Sequence, residues 1–127
     1  MESLNLKRTM YLTEDEIRDN AKVILGFDEK DPDVKQGTGQ ITTFNQLGFK
    51  GVSDKPDGWY LPNDKQDIAI ILETKSEKED VFSEKHYAEL VKNIEIAALQ
   101  YKRVVGILYN GTDVRVIKYI KGSEQYE

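Results

Sequence analysis

The sequence predicts an α/β domain with a central mixed β-sheet flanked by helices, and three observations carry that expectation. A capped amphipathic helix lies near the start, over residues 13–25. An apolar run at 68–75 reads as a strand buried on both faces, and a second amphipathic helix over 83–102 precedes a pair of strands. The resulting order is helix, two or three strands, helix, then two strands. No internal repeat or low-complexity segment interrupts it.

Each element has its own local cause. Thr13 followed by Glu16 forms a capping-box pattern, in which hydroxyl and carboxylate each satisfy a free backbone N–H. Ile17, Ala21, Ile24 and Leu25 then recur at helical spacing until Gly26 stops the run. Residues 28–55 are rich in Gly, Asp and Lys and give only a weak strand signal, near Ile41–Phe44. Trp59, Tyr60 and Leu61 predict a short strand after Pro56-Asp57-Gly58. The turn Leu61-Pro62-Asn63-Asp64 joins it to the apolar run as an antiparallel hairpin. Within that run Ile68, Ile70 and Leu72 point one way, and Ala69 and Ile71 the other. Glu73 and Lys75 then leave from a single face, two residues apart.

In the second helix Tyr87, Leu90, Val91, Ile94, Ala98 and Tyr101 share one face. Ile96 and Leu99 fall off that stripe, which predicts an exposed apolar pair on which a neighbouring domain or subunit docks. Val104–Leu108 and Val114–Ile120 read as strands joined at Asn110-Gly111, a strong hairpin signal.

Composition narrows the function classes. A chain of 127 residues supports one core without cross-links. It has no cysteine, so disulfides and thiolate zinc sites are excluded, and its single histidine excludes any multi-histidine metal site. That residue, His86, reads as an exposed helix position with no catalytic part. No apolar stretch approaches the roughly 20 residues that span a bilayer, and no signal-peptide pattern is present. The expectation is a soluble cytoplasmic protein without a membrane partner.

The net charge of −5 is unevenly spread. Residues 84–122 carry a balance of +3, whereas residues 1–83 carry −6. An acidic half that supplies metal ligands and a basic half that faces phosphate fits a nuclease; ordinary surface variation gives the same pattern.

The chemistry concentrates on Asp57, Glu73 and Lys75. Fifteen residues separate Asp57 from Glu73. Alone, Asp57 is a turn residue bonded to its own backbone, and Glu-x-Lys is a solvated strand end. Together they are more specific, because Glu73 ends a doubly buried strand and Asp57 begins its hairpin partner. Paired strands bring both carboxylates within reach of one hard cation.

Pro56, Asp57, Glu73, Thr74 and Lys75 give the chain a resemblance to the PD-(D/E)xK nuclease superfamily, which implies a restriction-endonuclease-like core. A narrower resemblance covers most of the chain. Glu14-Asp15-Glu16-Ile17-Arg18, ending in Leu25-Gly26-Phe27, looks like the opening helix of the nuclease domain in type I restriction enzyme R subunits. Gly106-Ile107-Leu108-Tyr109-Asn110-Gly111, with Val114-Arg115-Val116 behind it, looks like the hairpin after their second core helix. Those subunits fuse the nuclease to an ATP-driven motor. No G-x-x-x-x-G-K-[ST] loop occurs here, so ATP would act only through a motor that this chain lacks. The resemblance implies that residues 1–127 form a single nuclease-like domain, an N-terminal domain or fragment of a larger protein.

On that reading Asp57 and Glu73 ligate Mg²⁺, and the Thr74 carbonyl adds a neutral oxygen. Lys75 positions the attacking water or stabilises phosphate charge. Glu14 falls on the Ile17–Ala21–Ile24 face and is either a further catalytic carboxylate or a first-turn acid favoured by the helix dipole. Gln100 loosely resembles a Gln-containing motif of some superfamily members, but the usual Gln-x-x-x-Tyr spacing is absent because position 104 is Val. The implied partners are double-stranded DNA, cut to leave 5′-phosphates, and other domains or subunits of a restriction complex. A type II, type III or stand-alone nuclease remains open. So do a catalytically silent DNA-binding or assembly module of the same fold, and an unrelated α/β interaction domain.

Overall fold

The structure is a computed structural model and describes residues 12–27 and 30–122. Helix α1 spans Glu14–Leu25 and α2 spans Glu84–Ala97. The strands are β1 Val34–Thr38, β2 Gly58–Pro62, β3 Ala69–Thr74, β4 Arg103–Tyr109 and β5 Val114–Ile120. They form one sheet in the order β1-β2-β3-β4-β5, antiparallel except for the β3–β4 pair. A parallel pair requires a crossover, and α2 supplies it. This is the expected α/β architecture of a mixed sheet flanked by helices. It is compatible with a restriction-endonuclease-like core and equally with other mixed α/β sheets. Among the described residues no helix is long and apolar enough to cross a membrane.

The alternation read in the apolar run separates two layers. Ala69 and Ile71 join Leu90, Ile94 and Ala97 of α2, together with Val104, Leu108 and Ile117. Leu72 and Ile70 face the other way, against Ala21 and Phe27 at α1. Gly106 lets α2 lie close on β4, because a Cβ there would sit 2.9 Å from Ile94 Cγ1 and 3.1 Å from Leu90 Cδ1. The α1 cap matches its signature: Thr13 Oγ1 accepts from Glu16 N, the Glu16 carboxylate returns to Thr13 N, and Gly26 ends the helix at φ 68°.

Several local expectations are corrected. The strand in the Gly-rich segment is Val34–Thr38, not Ile41–Phe44, where the chain bends and Ile41 is exposed. With one apolar residue in five, β1 carries almost no pattern and is held as an edge strand by its ladder to β2. Ile68 lies outside β3 and is partly exposed. Ile24 is 70 % exposed, because α1 turns Ile17, Arg18 and Ala21 inward instead. Helix α2 ends at Ala97, since the turn at 98–100 carries Tyr101 into the core, where its hydroxyl donates to the Pro62 carbonyl. Leu99 is exposed as expected, but Ile96 packs against the main cluster, so the proposed docking pair is reduced to one residue.

Candidate active site

The hairpin register brings Asp57 and Glu73 together. Gly58 pairs with Leu72, so the residue before β2 lies beside the end of β3. The Thr74 amide donates to Asp57 Oδ2 at 2.8 Å and the Thr74 hydroxyl reaches the same oxygen at 3.2 Å. This fixes the Asp57 carboxylate where a β2–β3 ladder bond would otherwise continue. Glu73 is buried and accepts from Asn93 Nδ2 of α2. Burial first, then the charge of the neighbouring Asp57 and hydrogen bonding with it, push the Glu73 carboxyl up to about 9.

Lys75 leaves the strand on the α2 side, its Nζ 3.4 Å from Glu89 Oε2. Asp54, Lys55, Glu73, Glu89, Lys92 and Asn93 line a polar cavity of about 190 Å³. Lys92 lies 2.7 Å from Asp54 at its rim. Of the basic residues in 84–122, Lys102, Arg103, Lys118 and Lys121 lie elsewhere. Arg103 pairs with Ile120 at the opposite end of the sheet, whereas Glu73 pairs with Leu108. The basic half of the sequence therefore does not face the carboxylates as a unit; Arg18 of α1 reaches Asp57, and Lys55, Lys75 and Lys92 are the lysines near the pair.

Glu14 is half-buried and bound to Arg18 Nη2 at 2.9 Å. Burial, and after it the Asp57 charge, raise the Glu14 carboxyl above its ordinary value, while Arg18 and Lys75 oppose them. It belongs to the electrostatic surroundings of Asp57, with Arg18 between them. Arg18 is only 4 % exposed; it also holds Asp15 at 2.8 Å and reaches Asp57 Oδ1 at 3.4 Å. Its Nε has no hydrogen-bond partner among the described residues.

Arg18, Asn93 and Glu89 were not singled out from the sequence, and His86 was misplaced. His86 is buried, not exposed, between Glu79 and Glu89. A signal existed for two of them. His86, Leu90, Asn93 and Ala97 repeat at helical spacing, and this row, rather than one centred on Tyr87, is the buried side of α2. Polar residues in such a row demand partners. Gln100 donates to the Gly48 carbonyl, away from the carboxylates, and Tyr101 packs in the core.

Among the described residues no three His, Cys, Asp or Glu side chains converge as a metal-binding set. The Asp57–Glu73 pair nonetheless suits Mg²⁺, which proteins hold through one or two carboxylates with water and substrate phosphate completing the shell. Two crowded carboxylates, one disfavoured as an anion by burial and by its neighbour, are a donor set that a hard cation relieves. Against known proteins, no family model, curated protein or solved structure matches the chain significantly.

Proposed function

We propose that the chain is a Mg²⁺-dependent endonuclease domain that hydrolyses phosphodiester bonds of double-stranded DNA, of the PD-(D/E)xK kind and similar to the nuclease domain of type I restriction R subunits. The observation that carries this reading is the meeting of the Asp57 and Glu73 carboxylates at the end of a buried strand, with Lys75 two residues beyond. A solvated Glu-x-Lys surface pair is a poorer account. Glu73 is buried, and Lys75 contacts Glu89 rather than Glu73.

Asp57 and Glu73, with the Thr74 carbonyl, would hold the ion. When bound, it would polarise the scissile phosphate and lower the pKa of a coordinated water. Asn93 fixes the Glu73 carboxylate through its side-chain amide, and Thr74 fixes that of Asp57 through two donors. Both ligands are thus set before substrate arrives. The Lys75 ammonium would orient the nucleophile or donate to a phosphate oxygen as negative charge builds there. Any ATP dependence and DNA-site choice would come from partner domains or subunits.

Mn²⁺ titration of wild type and Asp57→Asn, beside plasmid cleavage with Mg²⁺, tests this. One saturable site lost in the variant, and metal-dependent linear or nicked product, are expected. Equal Mn²⁺ binding by both proteins would remove the metal assignment. Binding without cleavage would leave a silent member of the same fold.

A further inference from the structure

A line of polar contacts runs along α2 and ends on Lys75. His86 occupies the first turn, where its backbone amide donates to the cap residue Ser83 at 3.3 Å. Its ring is buried, with Nε2 3.2 Å from Glu79 Oε1 and Nδ1 2.9 Å from Glu89 Oε1. The other Glu89 oxygen lies 3.4 Å from Lys75 Nζ. His86 and Glu89 are three residues apart and so share one helix face.

Stability does not explain this arrangement. An ion pair 3.4 Å long whose carboxylate is 45 % exposed contributes little to folding. Geometry explains it better. Lysine carries its charge on a flexible four-carbon stem, and a freely rotating ammonium is a poor catalytic group. Glu89 is itself held by His86 and lines the cavity that contains Glu73 and Asn93. Although burial pushes the Glu89 carboxyl up, the His86 hydrogen bond and the Lys75 charge hold it below its ordinary value, so it stays an acceptor for the ammonium.

We propose that His86 and Glu89 are positioning residues for Lys75: His86 fixes the Glu89 carboxylate, and Glu89, which lines the cavity with Glu73, holds the Lys75 ammonium. The catalytic consequence rests on the nuclease reading, whereas the positioning itself does not.

The test uses the whole protein and the variants Glu89→Gln, Glu89→Ala and His86→Phe, with two readouts. The first is the rate at which Lys75 undergoes reductive methylation, followed by peptide mass spectrometry with Lys121 as internal reference. Releasing the ammonium should speed Lys75 modification roughly two- to fivefold in all three variants, with the reference unchanged. The second is plasmid cleavage. Glu89→Ala should lower kcat about tenfold at unchanged KM and Mn²⁺ affinity, with Glu89→Gln retaining part of the loss-free rate. Because His86 is buried its variant risks misfolding; Glu89→Gln is isosteric and half-exposed and keeps the test decisive. Wild-type methylation rates in Glu89→Gln and Glu89→Ala would overturn the proposal, and faster methylation with kcat unchanged in an active enzyme would overturn its catalytic consequence. A wild type that cuts no DNA would sink the nuclease reading instead, and Lys75 reactivity alone would then decide the positioning.

Discussion

At its start β3 lies among apolar groups, and towards its finish, on the same face, it buries a carboxylate. Ile71 packs with Leu90, Ile94 and Val104, whereas Glu73 meets Asn93 and Asp57. The backbone ladder to β4 continues unbroken through both, from Ala69–Val104 to Thr74–Tyr109. The difference therefore lies in the side chains alone. One end is held by area removed from water and by close packing, which is insensitive to pH and metal. The other is held by partners for groups that would otherwise be costly to bury: Arg18, Glu73, Asn93, His86 and Asn110. Substitution at the first end should cost stability, while substitution of Glu73, or of Lys75 just beyond it, should alter chemistry and leave the fold standing.

The largest expected effect belongs to the packed end. Ile71→Ala removes a fully buried side chain in the layer under α2 and should cost about 2–5 kcal/mol of stability. Urea denaturation measures it. A loss below about 1 kcal/mol would mean that the site collapses freely and is not packed as described. Lys75→Ala, four residues on, should cost no more than about 1 kcal/mol, since its ion-pair partner Glu89 is half-exposed. Its plasmid cleavage should nonetheless fall on the order of 10²–10³-fold, the range for removing one group that stabilises transition-state charge. A folded Lys75→Ala protein that cuts at the wild-type rate would erase the contrast between the two ends.

The two ends were also unequally legible in the sequence. Periodicity carries apolar burial well, so the β3 alternation, the antiparallel hairpin and the capped first helix follow from residues 13–25 and 56–75. Asp57, Glu73 and Lys75 stood out because charge interrupts an apolar run. Their partners did not. Arg18 looks like any helix-surface arginine until tertiary packing buries it against Asp57, and Glu89 acquires its place only when α2 crosses β3 and β4. His86 and Asn93 were misplaced or passed over because the α2 stripe was centred on Tyr87, about one residue from its true axis. Strand β1 was missed because its cause is a backbone ladder to β2, not an apolar pattern.

The pH response sharpens the comparison further. The Glu73 carboxyl is raised from 4.5 to about 9 in the folded chain, so between those values the folded state keeps a proton that the unfolded state has released. That contribution is fully present below about 4.5 and is lost as pH rises towards about 9. Glu73→Gln removes it, so the variant should gain on wild type steadily across that window, measured as the difference in urea midpoint. Ile71→Ala should instead track wild type at a constant offset. On the proposed metal reading Mg²⁺ would take the place of the proton, so its addition near neutral pH should release protons to the buffer and flatten the wild-type slope. Parallel wild-type and Glu73→Gln profiles would show that Glu73 is not buried in its neutral form.

The smallest effect is expected at Leu99, in the turn that carries α2 towards the packed end of the sheet. Leu99 is 66 % exposed and stands among Lys65, Gln66, Lys102 and Lys121, whereas Ile96, its expected companion on a docking face, packs against the core. A single exposed leucine is ordinary for a protein surface and is too little area to hold a partner. Leu99→Ser should therefore change stability by less than about 0.5 kcal/mol, while Ile96→Ala, which opens the edge of the α2 layer, should cost more. Sedimentation over a wide concentration range should give the same mass distribution for wild type and Leu99→Ser. A loss of self-association in Leu99→Ser would restore the docking face with one anchor instead of two. It would also show that the apolar end of the sheet continues outward into an interface and does not end at Tyr101.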